Sequence, residues 1–544
     1  MVVGPFLSNL TFAIGTPAVF PACNAQSIPS PDVAGVNVTS ISAVPYANYS
    51  GTNSVEHAFT KTVFSNLNFC NITVTYTHPG RNDQVVTTVL LPELSAWNGR
   101  FLGTGGAGWS ANLGDGLLVP PLNLGFAVGA TDGGVEQQSI NTYSSSGWAL
   151  DSVGNPDLNR LNTWASQAIH EIALIGKDVV ASYYNRSAAY SYYTGCSGGG
   201  RQSLHVAQRY PNDYDGIAAL APAINWAQFF PTMQWGIHIM DELDYVPPPC
   251  ELLAFQALAT EACDPLDGLT DGVISSPELC DFDPFSVVGS SYACDGANAT
   301  FSEKGAIVMH AAWTGPRSAK GDFLWWGYQA DAPLGTSLMN TTCASPNNCT
   351  ATRVALPDDW FKYWLAADPA LDLAILNRTS WTNYFMDGVE RYDSVIGTRW
   401  ADLSRFRDAG GKILTWHGLA DEYIPFNGSV NYYDRVKALD ASVDDYYRLF
   451  LVPGVEHCFP GAGPYPVGTL DVLMDWVEKG VVPEQLIAQN LSNLDPATGQ
   501  LSGSANETAG LGRPICLYPK RQVYLGGDPS KLASFECIEP AGAL

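Results

Sequence analysis

Two hydrophobic periodicities take turns along this chain. In residues 70–92 (CNITVTYTHPGRNDQVVTTVLLP) apolar and β-branched side chains alternate with polar ones on both sides of a Pro-Gly pair. A period of two puts one face in a core and the other in water, so the stretch predicts a hairpin. Phe101 and Leu102 lead into a glycine-rich loop over 103–108, and GFAVGA at 125–130 predicts a buried strand. Apolar positions then recur at helical spacing over 158–182. A short aromatic strand at 188–194 (AAYSYYT) follows and enters GCSGGGRQSLHVAQRYP, where Leu204, Ala207 and Gln208 fall in a predicted helix. Strands alternating with helices predict a parallel sheet.

From about 225 to 395 the rhythm stops. This stretch is rich in Pro, Cys, Asp and Trp and carries little strand signal. Beyond it, KILTW at 412–416 and YRLFLV at 447–452 read as buried strands, and LDVLMDWVEK at 470–479 reads as an amphipathic helix. The expected architecture is one α/β domain made of two sequence halves, 1–224 and 396–544, with a lid domain, 225–395, inserted between them. A chain of 544 residues is long enough for both.

Composition narrows the partners. Asp and Glu number 53 against 27 Lys and Arg, a formal charge of −26. That balance argues against nucleic acid and against an anionic membrane surface. No apolar stretch is long enough to predict a membrane span. The twelve cysteines are an even number. They accompany many N-x-S/T sequons, including Asn9, Asn37, Asn48, Asn71, Asn185, Asn298, Asn340, Asn377, Asn427, Asn490 and Asn506. Together they predict a secreted, extracellular, disulfide-bonded glycoprotein. The start, MVVGPFLSNLTFAIG, lacks the basic and apolar regions of a signal peptide, which predicts a signal already removed or a re-engineered start.

The chemistry centres on Gly195-Cys196-Ser197-Gly198-Gly199, a G-x-S-x-G motif between a predicted strand and a predicted helix. A nucleophile elbow needs small neighbours because the turn is sharp, and the turn lifts the serine hydroxyl clear of the sheet. The N–H of Gly198 then faces a developing oxyanion at a helix N-terminus. A bland glycine-rich turn with an ordinary serine is the alternative. In the α/β-hydrolase fold the order is Ser, acid, His. Among the later histidines, His205 lies on the elbow helix, and His238 and His310 lie in the insert. His417 follows KILTW, near the place for the acid. His457, in PGVEHCFPG, follows the last strong strand, where the base belongs. Asp421, in HGLADEYIP, is the best acid. If Ser197 and His457 meet, Cys196 and Cys458 are brought close and a disulfide becomes reasonable. Closing a loop that long contributes up to about 5 kcal/mol by chain entropy. A free Cys196 thiol nucleophile is the competing reading, and it sits poorly with an even cysteine count.

Taken together, Cys196-Ser197, Asp421 and His457-Cys458 resemble the disulfide-braced serine triad of the fungal tannase and feruloyl esterase family. The resemblance extends through NGRFLGTGGAG, GATDGG, YVPPPCE, ACDPLDGLTDGVI, GGKILTWHGLAD and GPYP, from about residue 60 to 540. It implies an α/β-hydrolase domain, a lid over the site, and hydrolysis of phenolic acid esters. LDYVPPPCEL and GPYPVGTLDVLMDWVEKG look closer to tannases, so galloyl esters are expected, with hydroxycinnamate esters of plant cell wall as the alternative. A non-catalytic secreted glycoprotein on the same fold is a remote third reading.

Asp264, Asp267 and Asp271 stand three and four apart in a glycine-containing loop, a spacing that lets carboxylates converge on a hard cation. Similarity to the family implies structural calcium held by these three side chains and the carbonyls of Leu269 and Val273. Cys263 and Cys280 bracket the loop and are expected to pair. The resemblance and spacing imply Cys23–Cys70, Cys250–Cys294, Cys343–Cys349 and Cys516–Cys537 as well. The expected cycle has Ser197 attacking the ester while His457 takes its proton and Asp421 orients the imidazole. Oxyanion donors are expected from Gly198 and Gly106. Trp325, Trp326 and Tyr328 are candidates for an acyl pocket, and the protein is expected as a monomer or homodimer.

Overall fold

Nine strands form one sheet, and its two halves follow different rules. The computed structural model describes residues 23–52, 63–135, 143–294, 296–345, 348–491 and 511–539. The sequons at Asn9 and Asn506, and the chain start, lie outside the described residues. The strands are β1 (Asn37–Thr52), β2 (Val63–Thr77), β3 (Val85–Pro92), β4 (Arg100–Thr104), β5 (Ala127–Thr131), β6 (Tyr190–Ser197), β7 (Gly216–Pro222), β8 (Lys412–Gly418) and β9 (Tyr447–Val452). Their order is β1-β2-β3-β5-β4-β6-β7-β8-β9.

Strands β1, β2 and β3 run antiparallel, and β3 meets β5 antiparallel. The predicted hairpin is β2–β3, with Tyr76 opposite Val85. Every second β2 residue (Ile72, Val74, Tyr76) is buried, as alternation requires. From β5 onward the neighbours are parallel. There β7 (GIAALAP) is buried along its whole length, because helices cover both faces. The architecture is that of an α/β-hydrolase.

The helix expected over 158–182 is continuous but not regular. A π-helical turn, Thr163–Gln167, separates Leu158–Asn162 from α1 (Ala168–Tyr184). It carries Trp164 into a cluster of rings. The elbow helix is α2 (Gly198–Arg209).

Between Pro222 and Lys412 the chain leaves the sheet. Helices α3 (Trp226–Leu243), α4 (Pro249–Cys263) and α5 (Arg378–Ile396) dominate this excursion. Two short hairpins, Ser291–Cys294 with Ala297–Thr300 and Thr341–Ser345 with Asn348–Ala351, are its paired strands among the described residues. Its core is continuous with side chains of the first sequence half. Trp226, Phe230, Trp360 and Trp364 pack around Trp109, with ring centroids 5.0–6.4 Å away. Trp109, Trp148 and Trp164 all come from the first sequence half. The boundary expected at 224/225 therefore runs through a shared tryptophan core.

All six expected disulfides are formed, Cys23–Cys70, Cys196–Cys458, Cys250–Cys294, Cys263–Cys280, Cys343–Cys349 and Cys516–Cys537, and no cysteine is free. The thiol-nucleophile reading of Cys196 falls with them. No helix among the described residues is long and apolar enough to cross a membrane.

Candidate active site

Ser197 ends β6 and precedes α2, with φ 61° and ψ −124°. A non-glycine residue there is strained by about 1–3 kcal/mol, and such outliers cluster at functional sites. Its carbonyl accepts the N–H of Ala223 at 2.9 Å, which pins the turn to the end of β7. The flanking glycines are required by contact. A Cβ on Gly195 would meet the Gly199 backbone at 2.6 Å, and one on Gly199 would meet the Gly106 carbonyl oxygen at 2.8 Å.

Asp421 lies in the loop after β8, 1% exposed. Its Oδ1 accepts the N–H groups of Tyr423 (2.9 Å) and Ile424 (2.7 Å). Its Oδ2 lies 2.7 Å from His457 Nδ1 and 3.0 Å from His417 Nε2. Burial alone would push this carboxyl up. The His457 charge and hydrogen bonds from His417 and His457 overcome it and hold Asp421 well below the usual carboxylate range. At His457 burial favours the neutral ring, but Asp421 outweighs it and the imidazole is raised above its ordinary value. Facing a carboxylate, Nδ1 carries the hydrogen, so neutral His457 presents an unprotonated Nε2.

The histidine loop is held at its backbone too. The His457 N–H donates to Glu422 Oε2 at 3.0 Å. Burial first, then the Asp421 charge, pushes the Glu422 carboxyl up to about 8. The Tyr423 ring lies 5.3 Å from the His457 ring, centre to centre.

The Cys196–Cys458 disulfide joins the two parts, with its Cα atoms 6.0 Å apart. Ser197 and His457 each sit one residue from a bridged cysteine, so their Cα atoms are at most about 14 Å apart. The elbow, Asp421 and His457 are thus gathered at the C-terminal ends of β6, β8 and β9, where ligands bind in open α/β sheets.

Gly106 does not fit its expected role. Its N–H donates to Gln202 Oε1 at 2.9 Å and its carbonyl accepts from Gly199 N–H at 2.8 Å, so both polar groups are committed to holding the loop against α2. The next residues approach the elbow: a Cβ on Gly198 would stand 3.1 Å from the Gly108 carbonyl oxygen and 3.2 Å from Gly108 N. Gln202 is one turn beyond Ser197, and its side-chain partner could not be read from spacing.

Trp325 and Tyr328 are core residues, 7% and 6% exposed. The Tyr328 hydroxyl donates to the Tyr423 carbonyl at 3.2 Å and so backs the acid loop. Trp326 packs edge-on to Trp325. His205 is buried against Ser166 Oγ at 2.8 Å, His238 is buried beside Trp381, and His310 is exposed.

In the acidic loop, both Asp264 oxygens accept backbone N–H groups, from Asp271 (3.1 Å) and Gly272 (2.7 Å). Asp267 accepts from Leu269 N–H at 2.9 Å, and Asp271 pairs with Arg513 at 2.5 Å. Val273 is buried beside them. Burial raises Asp267, against hydrogen bonds from Leu269 and Ser275, and the charges of Asp271 and Asp264 raise it further. Among the described residues no group of three or more His, Cys, Asp or Glu side chains is gathered as a metal site.

The sequence model of the family described as "Tannase and feruloyl esterase" matches residues 70–538. A protein of Arthroderma benhamiae named "Probable feruloyl esterase" is 38% identical over 485 residues, covering 88% of this chain and 87% of its own. The "Tannase" of Aspergillus oryzae is 30% identical over 529 residues, covering 86% and 85%. Among solved structures, "Tannin acyl hydrolase from Aspergillus niger" superposes with a TM-score of 0.83 at 29% identity, covering 95% of each chain.

Proposed function

The chain belongs to the tannase and feruloyl esterase family and is a carboxylic ester hydrolase, and on that premise we propose that it cleaves phenolic acid esters through Ser197, His457 and Asp421. The observation that carries this reading is the Asp421–His457 pair, 2.7 Å apart and bridged through Cys458 to the residue before a serine at φ 61°.

In this mechanism His457 Nε2 takes the Ser197 proton as Oγ bonds to the ester carbonyl carbon. The carbonyl oxygen becomes an oxyanion facing the Gly198 N–H, with the 107–108 backbone in the place first assigned to Gly106. The carbon–alkoxy bond then breaks, and the leaving alcohol takes the proton from His457. Water, deprotonated by His457, attacks the acyl carbon; the bond to Ser197 Oγ then breaks, Oγ takes the proton back from His457, and the acid is freed. Asp421 stays ionised throughout and stabilises the imidazolium.

The substrate reading leans to galloyl esters, on the segments around Tyr245 and Pro464 and on the fold shared with a tannin acyl hydrolase. Hydroxycinnamate esters are the second reading, favoured by the 38% identity to a probable feruloyl esterase. Residues 225–395 serve as the lid. Disulfides that use every cysteine support secretion, and the sequons support glycosylation.

Calcium is proposed as a structural ion for the Asp264–Asp267–Asp271 loop, with Leu269 and Val273 carbonyls. Three carboxylates close in one glycine-containing loop, with backbone carbonyls beside them, suit a hard cation, and the charges of Asp264 and Asp271 raise Asp267. The Asp271–Arg513 pair is what the ion displaces. No step of the reaction passes through it.

Turnover of methyl gallate, methyl ferulate and methyl caffeate tests the reading. The expected result is fastest cleavage of gallate, and preference for ferulate turns it to the second reading. Ser197→Ala is expected to lower kcat at least about 10^4-fold with the fold retained. Unchanged turnover would leave the binding-protein reading standing.

A further inference from the structure

His417, the penultimate residue of β8, is fully buried, yet both ring nitrogens are engaged. Nε2 lies 3.0 Å from Asp421 Oδ2 and 3.1 Å from the Ile424 carbonyl oxygen. Both neighbours only accept, so Nε2 carries a hydrogen shared between them. Nδ1 lies 2.8 Å from Ser429 Oγ, a hydroxyl able to donate or accept. His457 reaches the same Asp421 oxygen at 2.7 Å. One carboxylate oxygen therefore serves two imidazoles. Ser429, His417 and Asp421 repeat inside the protein the order of groups proposed for catalysis at its surface. Ser429 is 1% exposed and cannot meet a substrate.

We propose that His417 is a positioning residue for ester hydrolysis, whose Nε2–H fixes the Asp421 carboxylate and shares it with His457. This rests on the triad reading above. A donor on Oδ2 stabilises the anion and weakens its pull on the His457 imidazolium. That eases release of the His457 proton, which the base must pass to the leaving alcohol. The other titratable groups packed around the pair are Tyr328, Glu422, Tyr423 and Glu456. Glu422 raises His457, as Asp421 does. Among the groups engaging Asp421, His417 is the side chain that competes with His457 for it.

The test measures kcat and KM across pH for His417→Phe and His417→Gln on the best methyl ester, with Ser197→Ala as the control. His417→Phe keeps the ring volume and loses the donor. It is expected to lower kcat about tenfold with KM within about twofold. Its acid limb is expected to move up by about half a pH unit, because an uncontested Asp421 holds the His457 proton more tightly. Gln places an N–H near the lost Nε2 and is expected to restore most of kcat and the limb. Wild-type kcat and an unmoved limb in His417→Phe overturn the proposal. Equal losses in both variants with an unmoved limb also overturn it, since a packing role alone gives that result. If His417→Phe does not fold, Ser429→Ala and His417→Gln decide. Ser429→Ala, which releases Nδ1, is expected to move the limb up, and no movement overturns the proposal. Full activity in Ser197→Ala sinks the triad reading itself.

Discussion

Asp421 and Asp267 are both buried carboxylates, 1% and 6% exposed, and they are held in opposite ways. Asp421 meets two backbone N–H groups and two imidazoles, so all its partners favour the anion. Asp267 meets one backbone N–H, the Ser275 hydroxyl and two neighbouring acids, and burial and repulsion outweigh the two donors and raise it. Depth does not decide ionisation; the supply of donors and cations does. The first loop is complete as protein. The second sets one cation, Arg513 on Asp271, against three acids.

The largest effect should come from breaking the complete loop. Asp421→Asn presents an amide N–H₂ to His457 Nδ1 and favours the wrong tautomer. The expected fall in kcat on a methyl ester is about 10^4-fold with KM little changed. A loss below tenfold would mean that Asp421 is not the acid.

The incomplete loop should answer to calcium. Millimolar calcium is expected to raise the Tm of chelator-treated protein by about 5 °C, for an ion near a hundred times its Kd. Asp267→Asn separates the alternatives by sign. If calcium binds, the substitution abolishes the response; if repulsion is never neutralised by a cation, it raises Tm with or without calcium.

The smallest effect comes from an intermediate case. His78, 5% exposed, lies 2.6 Å from Asp83 and 2.8 Å from Glu171, and these carboxylates outweigh burial and raise it. Its contribution to stability is full below pH 6.5, the unfolded value, and is lost as pH rises through the folded value. The Tm difference between wild type and His78→Asn should therefore be larger at about pH 5.5 than at about pH 8.5. An unchanged difference would show that His78 is neutral between its two acids.

Much of this was legible in the sequence where a single residue type forces geometry. The elbow was, because its glycines admit no Cβ. The buried strands β8 and β9 were, because apolar runs that short have few other uses. Strand β1 was missed: NVTSISAVPYANYSGT is polar on much of its length and pairs with β2 through register shifts. The π-helical turn was missed because a helical period carries no mark of one extra residue. Gln202 on the Gly106 N–H and His417 on Asp421 were missed for a shared reason. Periodicity reports which face a side chain is on and says nothing of what it meets there.

The tryptophan core shared between the excursion and the first sequence half limits how this fold can be recombined. Residues 225–395 look like a cassette along the chain, yet Trp226, Trp360 and Trp364 close on Trp109, Trp148 and Trp164 from outside it. A chimera that imports the excursion from a relative must import the partners of those rings with it. Natural exchange would have to carry Trp109, Trp148 and Trp164 along, so the unit of inheritance is wider than the inserted segment.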